Sequence, residues 1–197
     1  MKTIEVHVFS DYDEKGSQIL ADSNIVIDDT TKDFVNRHAG ASVGGLLRLY
    51  GNSCSVDSIS KINLNDGFSK CAGVFAIASD ILGCAYVIEN LTRAATKRVY
   101  YASIFTLQFE PLILTTSDFY ELAQVGAVEK LYPIDVFKYM LEKSNECHTD
   151  NCLSFMGNYP IKQHELNLQE YRIDRSIPVI DYNIGLVSGV TAARLEL

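Results

Sequence analysis

The stretch that most constrains the fold runs from Gly73 to Ile104 and holds three apolar segments separated by turn or loop residues. In residues 74–78 both alternating sets of side chains are apolar, which is typical of a strand buried on its two faces. Residues 84–89 and 98–104 are rich in β-branched and aromatic side chains, which favour strands. Successive strands with short connections predict an antiparallel meander.

Asp80 is the one acidic residue in the first turn of this stretch, residues 79–83. Aspartate side chains in turns accept hydrogen bonds from nearby backbone N–H groups. We therefore interpret Asp80 as a turn former and the whole stretch as scaffold. Recognition or chemistry is then expected at the edges and loops of the sheet.

Further strands are predicted before and after the meander. The apolar alternation of residues 3–9 predicts a half-buried strand, and the glycine-rich residues 40–51 lead into a strand at 46–50. A weaker alternation at Ile59, Ile62 and Leu64, closed by Asp66-Gly67, indicates another strand and a hairpin turn. Residues 107–114 complete the sheet, with Pro111 placing that strand at an edge or a bulge.

Helices are predicted on both sides of the sheet. Thr30 or Thr31 can cap a helix that ends before Gly40, and Thr116 or Ser117 can cap one that ends at Gly126. A third helix runs from about residue 133 to 144. Its predicted buried stripe consists of Ile134, Phe137, Met140 and Leu141. The fold class is therefore α+β, a mostly antiparallel sheet of about five or six strands with helices packed on one face.

The chain of 197 residues, 47% of them hydrophobic, is long enough to bury a core without cross-links. We place a core domain at residues 1–145 and a C-terminal extension, packing on the same core, at 146–197. Residues 145–160 read as a linker by composition. Apolar runs are too short for a membrane span, and the N-terminus turns acidic before a signal-peptide core could form, so a cytoplasmic location is expected.

The net charge of −8 disfavours direct nucleic-acid binding and suits a basic partner. The calcium motif that residues 11–22 nearly fit has Lys15 at a ligand position, and a lysine repels the ion. Residues 40–51 lack the lysine of a phosphate-binding loop. Cys147, His148 and Cys152 have no second matching pair for a zinc site. We expect no metal and no cofactor.

Five cysteines without a spacing pattern read as free thiols. They leave open a cysteine-nucleophile enzyme, a Cys-dependent hydrolase. Cys54 with His38 is one candidate pair, and Cys147 or Cys152 with His148 or His164 is another. None has a family-type flanking signature.

Four segments resemble the SUKH superfamily, over about residues 30–145. FVNRHAGASVGGLLRLYG is similar to its helix, glycine turn and strand, and GVFAIASDILGCAYVIE to its central strand pair; RVYY and LILTTSDFYELAQVG resemble the next strand and the following helix. Members are mostly bacterial immunity proteins that bind toxins of interbacterial competition. The resemblance implies a non-enzymatic protein that occludes the active site of a cognate toxin.

The expected partner is a protein toxin of the basic, nuclease-like kind, bound by a monomer or homodimer of this chain. An acidic face would steer a basic toxin, and aromatic side chains beside it would anchor the complex. The predicted partner-binding residues are Asp11, Asp13, Glu14, Asp28, Asp29, Asp66, Tyr50, Tyr100 and Tyr101. The alternative is a regulatory or assembly module that uses the same fold and self-associates through an exposed sheet edge.

Overall fold

The computed structural model describes residues 4–13, 26–53, 58–64, 73–90, 93–147, 151–156 and 159–195. These residues form an α+β fold, as predicted. Its main sheet has seven antiparallel strands in the order of the chain, so each strand pairs with its sequence neighbour. The strands are β1 (Val6–Val8), β2 (Gly40–Val43), β3 (Leu47–Tyr50), β4 (Val74–Asp80), β5 (Ala85–Glu89), β6 (Arg98–Ser103) and β7 (Gln108–Thr115).

A separate antiparallel hairpin and several helices complete the described part of the chain. The hairpin consists of β8 (Asn151–Phe155) and β9 (Tyr171–Arg175). The α-helices are α1 (Asp29–Arg37), α2 (Ile59–Leu64), α3 (Thr116–Gln124), α4 (Ile134–Lys143) and α5 (Ser176–Leu195). Short 3₁₀ helices cover Val128–Leu131 and Gln163–Leu168.

The predicted meander is confirmed as β4, β5 and β6. The central residues of β4 and β5 are buried on both faces. The strand predicted at residues 107–114 is also confirmed. It is β7, an edge of the sheet in the described residues, and its pairing with β6 is irregular between Arg98 and Tyr100, close to Pro111. Proline lacks a backbone N–H, so it fits an edge strand with a bulge.

The glycines of residues 40–51 form a hairpin between β2 and β3. Gly44 and Gly45 have φ angles of 60° and 70°, which only glycine adopts at little cost. β1 pairs with β2, confirming the N-terminal strand, although Val8 is exposed where the alternation predicted burial.

The strand predicted around Ile59 is wrong, because this segment is helix α2. Ile59 and Ile62 are both buried, and their three-residue spacing places them on one helix face. The side chain of Asn63 then exchanges two hydrogen bonds with the backbone of Ala76, at 2.8 and 2.7 Å. These two hydrogen bonds satisfy the backbone N–H and carbonyl of Ala76 at the position where the register between β4 and β5 shifts. Asp66-Gly67 lies outside the described residues.

The predicted helix caps are displaced towards the N-terminus. Asp28, instead of Thr30 or Thr31, caps α1 by accepting a hydrogen bond from the Thr31 N–H. Thr115 caps α3 in a reciprocal capping box with Asp118. In both helices the acceptor lies three residues before the N–H that it satisfies.

The buried face of α4 also differs from the predicted stripe. Val136, Tyr139 and Met140 are buried, whereas Ile134 and Leu141 are exposed. Because only one face of the helix contacts the core, two of the four apolar positions in the predicted stripe are left in solvent.

Strand β8 lies within residues 145–160, which were predicted to be a linker. Its backbone contacts the central meander. The Leu153 N–H donates a 2.6 Å hydrogen bond to the Ile81 carbonyl in the turn after β4. Helix α5 contacts β5, β6 and β7 and buries Ile180, Ile184 and Val187. The described part of the C-terminal segment therefore packs on the main sheet. No described helix has the length and apolar character that crossing a bilayer requires.

Candidate functional site

The polar centre of the core is the carboxylate of Asp80, at the end of β4. Its Oδ1 accepts hydrogen bonds from the backbone N–H groups of Leu82 and Cys84, each at 3.0 Å. Its Oδ2 accepts hydrogen bonds from the hydroxyls of Tyr101, at 2.8 Å, and Tyr132, at 3.3 Å. The turn-forming interpretation of Asp80 is confirmed, and the two tyrosine contacts are an addition that local sequence did not indicate.

Burial raises the pKa of Asp80 to about 7, although all four hydrogen bonds act in the opposite direction. The pKa of Tyr101 is also raised, first by burial and then by the nearby Asp80 charge. Burial likewise raises the pKa values of the Tyr86 and Tyr132 hydroxyls, so neither of them ionises near neutral pH. Asp80 is therefore the group of this cluster that changes charge near neutrality.

A cavity of about 190 Å³ lies beside Asp80, between the β2–β3 hairpin and the start of β8. Arg48, Ser79, Cys147 and Asn151 contribute to its wall. The volume is below the 300–1,000 Å³ that typical small-molecule pockets occupy. Ser79 is itself engaged there, since its hydroxyl accepts a 2.7 Å hydrogen bond from Tyr50.

Three cysteines fall in the described residues, and none forms a disulfide. Cys84 and Cys152 are buried, and burial raises the pKa of both thiols. Cys147 is half-buried, and its pKa is raised by burial and then by Glu146. Raised pKa values lower the thiolate fraction, and the thiolate is the nucleophile. Cys54 and His148 lie outside the described residues, as does the side chain of His164.

Metal ligands do not converge in the described part of the chain: no group of three or more His, Cys, Asp or Glu side chains there could hold an ion. Of the three residues considered for a zinc site, Cys147 and Cys152 lie in the described part of the chain and His148 lies outside it.

Three of the predicted partner-binding residues are buried, and the prediction needs correction there. Asp28 is 0% exposed, and its Oδ1 accepts hydrogen bonds from the Thr31 N–H and the Thr116 hydroxyl, which joins the starts of α1 and α3. Tyr50 is also 0% exposed, with its hydroxyl bonded to Ser79. Neither side chain can reach a partner across the surface. Tyr101 is buried too, because it supports Asp80.

The remaining predicted residues differ in accessibility. Asp29 is exposed, while Asp11, Asp13 and Tyr100 are half-buried. Asp11 and Asp13 lie next to β3: Asp11 accepts a hydrogen bond from the Ser53 hydroxyl, and the Asp13 N–H donates to the Asn52 carbonyl at 2.7 Å. Glu14 and Asp66 lie outside the described residues.

A larger concavity lies between the β8–β9 hairpin and the N-terminal half of α5, and we call it the hairpin–helix groove. Its volume is about 1050 Å³, and its wall includes Met156, Tyr159, Arg172, Asp174, Tyr182 and Asn183. Met156 and Tyr182 are 60% and 54% exposed. The sequence did not indicate this groove, because β8 was read as linker and the two walls meet only after α5 folds back.

Comparisons with known proteins place the chain in a family without assigning an activity. No curated protein matches the sequence. A family model described as "Protein of unknown function DUF2625" matches residues 2–181, across the boundary predicted near residue 145. That match spans most of the 197 residues, including the central meander, the β8–β9 hairpin and the start of α5. The chain therefore belongs to the DUF2625 family.

Proposed function

We propose that this protein is an immunity-type binding protein that acts in the cytoplasm, where it neutralises a cognate bacterial toxin by covering the toxin's active site. The observation that carries the proposal is the hairpin–helix groove with exposed Met156 and Tyr182 on its wall. Methionine, tyrosine and arginine are enriched at protein interfaces, and tyrosines often dominate their binding energy. The SUKH resemblance supplies the expected class of partner.

The charge of the chain supports a basic toxin as the partner. A net charge of −8 gives long-range attraction for a basic protein and raises its association rate. Of the described members of the predicted acidic face, Asp29 is exposed and Asp11 and Asp13 are half-buried, whereas Asp28 is buried. No cofactor enters this mechanism, since occlusion requires only binding.

The test is co-expression with the product of the gene immediately upstream. If that product is toxic, the wild-type protein should restore growth and co-purify with it in a one-to-one complex. A toxic neighbour that this protein neither binds nor neutralises would contradict the proposal, as would a non-toxic neighbour.

Charge variants then test the acidic face. Asp11→Asn, Asp13→Asn and Asp29→Asn together should lower the association rate about tenfold at low salt and less at high salt, because salt screens exposed charges. Glu121→Gln, Asp135→Asn and Glu142→Gln change the net charge equally on exposed positions of α3 and α4 and serve as the control. Equal effects of the two sets would mean that overall charge, and not this face, directs the partner.

A regulatory or assembly module is the second candidate, favoured by Ile113. This side chain is fully exposed on β7, an edge strand of the main sheet in the described residues. Exposed strand edges pair readily with a second chain. Sedimentation should detect a dimer that Ile113→Lys disrupts if this function holds, and a concentration-independent monomer would exclude it.

A further inference from the structure

Three polar side chains from adjacent strands form one row across the main sheet. Arg48 of β3 pairs in register with Ser42 of β2 on one side and with Ser79 of β4 on the other. Residues that pair in register point to the same face of a sheet, so the guanidinium lies in a row with two hydroxyls. All three residues line the cavity of about 190 Å³, and Asn151 at the start of β8 also contributes to its wall.

Arg48 brings a positive charge to this cavity. The residue is 8% exposed, and an arginine side chain stays protonated in proteins. A guanidinium with so little access to water attracts an anion more strongly than one in bulk solvent, because the effective dielectric constant around it is lower. Its several N–H groups can donate to a bound anion in addition to the contacts that Arg48 makes within the protein.

The other polar side chains of the wall can also donate hydrogen bonds. The Ser79 hydroxyl accepts a 2.7 Å hydrogen bond from Tyr50, so its own proton can go to a further acceptor. Ser79 is 2% exposed and Tyr50 is 0% exposed, so this pair is held inside packed surroundings. Ser42 and Asn151 are half-buried and add an O–H and an N–H group. The cavity is therefore lined by possible donors from β2, β3, β4 and β8.

Asp80 also lies on the cavity wall, but its carboxylate is held on the opposite face of the sheet. It directly follows Ser79, and successive side chains of a strand point to opposite faces. On that face its Oδ2 accepts hydrogen bonds from Tyr101 and Tyr132. Because its pKa is about 7, this carboxyl group is mostly neutral at pH 6. Among the described wall residues, Arg48 then dominates the charge of the cavity.

We propose that this cavity binds a small tetrahedral oxyanion of the phosphate class. The fork of Arg48 donates to two of its oxygens, and Ser42, Ser79 and Asn151 donate from the remaining sides. A tetrahedral anion presents oxygens in all these directions, whereas a carboxylate presents only two. A cavity of about 150 Å³ can hold benzene, so 190 Å³ accommodates an ion of this size. The site shares no wall residue with the hairpin–helix groove and does not depend on the proposed immunity function.

Amide NMR spectra of the full-length protein at pH 6 measure this binding directly. When inorganic phosphate replaces sodium chloride at constant ionic strength, the backbone signals of Ser42, Gly45 and Ser79 should shift saturably. The signal of Val125, an exposed residue outside the cavity wall, should not move. Acetate should bind about tenfold more weakly, because its two oxygens engage fewer of the donors. The absence of a saturable shift, or equal binding of acetate, would overturn the proposal.

A pair of isosteric substitutions separates the cavity from the overall charge of the protein. Asn151→Asp keeps the shape of the side chain but replaces a donor by a negative charge on the cavity wall. It should weaken phosphate binding at least about tenfold, because like charges repel strongly at short range. Gln124→Glu changes the net charge equally at an exposed position of α3 and should leave the affinity unchanged. Equal weakening by both variants would contradict the assignment to the cavity.

Substitutions at Arg48 test the cation itself. Arg48→Met removes the charge and keeps a long side chain, so it should abolish saturable binding of phosphate. Arg48→Lys keeps the charge without the planar fork and should bind phosphate about tenfold more weakly than the wild type. Circular dichroism checks that each variant is folded, and if Arg48→Met does not fold, the comparison of Asn151→Asp with Gln124→Glu decides. Wild-type affinity in folded Arg48→Met would refute the site.

Discussion

The Tyr101 hydroxyl donates a 2.8 Å hydrogen bond to Asp80 Oδ2, which joins β6 to the end of β4 across the intervening strand β5. The same carboxylate accepts from Leu82 and Cys84, so one buried side chain fixes both the strand spacing and the turn after β4. The backbone carbonyls of this turn accept hydrogen bonds from the Leu153 N–H and from the side-chain amide of Asn183. Asp80 thereby supports the surface on which β8 and α5 dock.

Asp80 should make the protein less stable as the pH rises from about 4 to about 7. Its pKa is about 7 when folded, against 3.8 ordinarily, so the folded protein holds a proton that the unfolded chain has released in this range. Its contribution is fully present below pH 3.8 and is lost as the pH passes 7. The difference is on the order of 4 kcal/mol over the whole range.

Urea unfolding at pH 5 and pH 8 measures this dependence. Asp80→Asn keeps a side chain of the same shape that does not titrate, so its stability should change less between the two pH values than that of the wild type. A variant with the wild-type pH dependence would show that other groups cause it. Asp135→Asn removes an exposed carboxylate and serves as the control.

Gly83→Ala should weaken the docking of α5. At φ +76° an added Cβ would lie 2.8 Å from Val179 Cγ1, 3.2 Å from Asn183 Nδ2 and 3.3 Å from the Leu153 carbonyl. Gly73→Ala introduces the same kind of backbone strain at φ +66° with nothing within 4 Å, and should cost only about 1–2 kcal/mol. Overpacking should add roughly 1–3 kcal/mol at Gly83.

Chemical denaturation compares these two variants, and limited proteolysis of α5 locates the effect. Only the variant at Gly83 should expose α5 to cleavage under native conditions. Equal destabilisation and equal proteolysis of both would mean that backbone strain alone, and not contact with α5, determines the cost.

Thr115→Ala should destabilise the protein by about 1 kcal/mol, because Thr115 accepts from the Asp118 N–H in the capping box of α3. Ser117→Ala is the matched control, since Ser117 is exposed and is not the cap. Thermal unfolding of both variants distinguishes the cap found at Thr115 from the one predicted at Thr116 or Ser117. A larger loss for Ser117→Ala would contradict the assignment.

Alkylation should be slow at every cysteine in the described residues. Burial raises the pKa of Cys84 and Cys152, so iodoacetamide should modify them only on unfolding, whereas the half-buried Cys147 should react first. Mass spectrometry of tryptic peptides assigns each site. Fast modification of Cys152 at neutral pH would instead support the cysteine-nucleophile alternative.

The features that could be predicted from the sequence are those determined by residues close together in the chain. The two-sided apolar run of β4 requires burial on both faces, and Pro111 requires an edge or bulge, so both were predictable from the chain. Asp80 was recognised as a turn former because the backbone N–H groups that donate to it lie two and four residues away. The strand predicted at Ile59 failed because two apolar residues three apart fit a helix face as well as an irregular strand.

The sequence by itself determined the α+β class, the central meander and the apolar residues available for the core, because these follow from side-chain periodicity and turn residues. Only the tertiary structure decided which polar side chains became buried: Asp28 meets Thr116, and Tyr101 meets Asp80, through contacts distant in sequence. The hairpin–helix groove likewise exists only because β8 and α5 pack on the turn after β4. Periodicity specifies which face of an element is apolar, but the partner of that face is set by the packing of the whole chain.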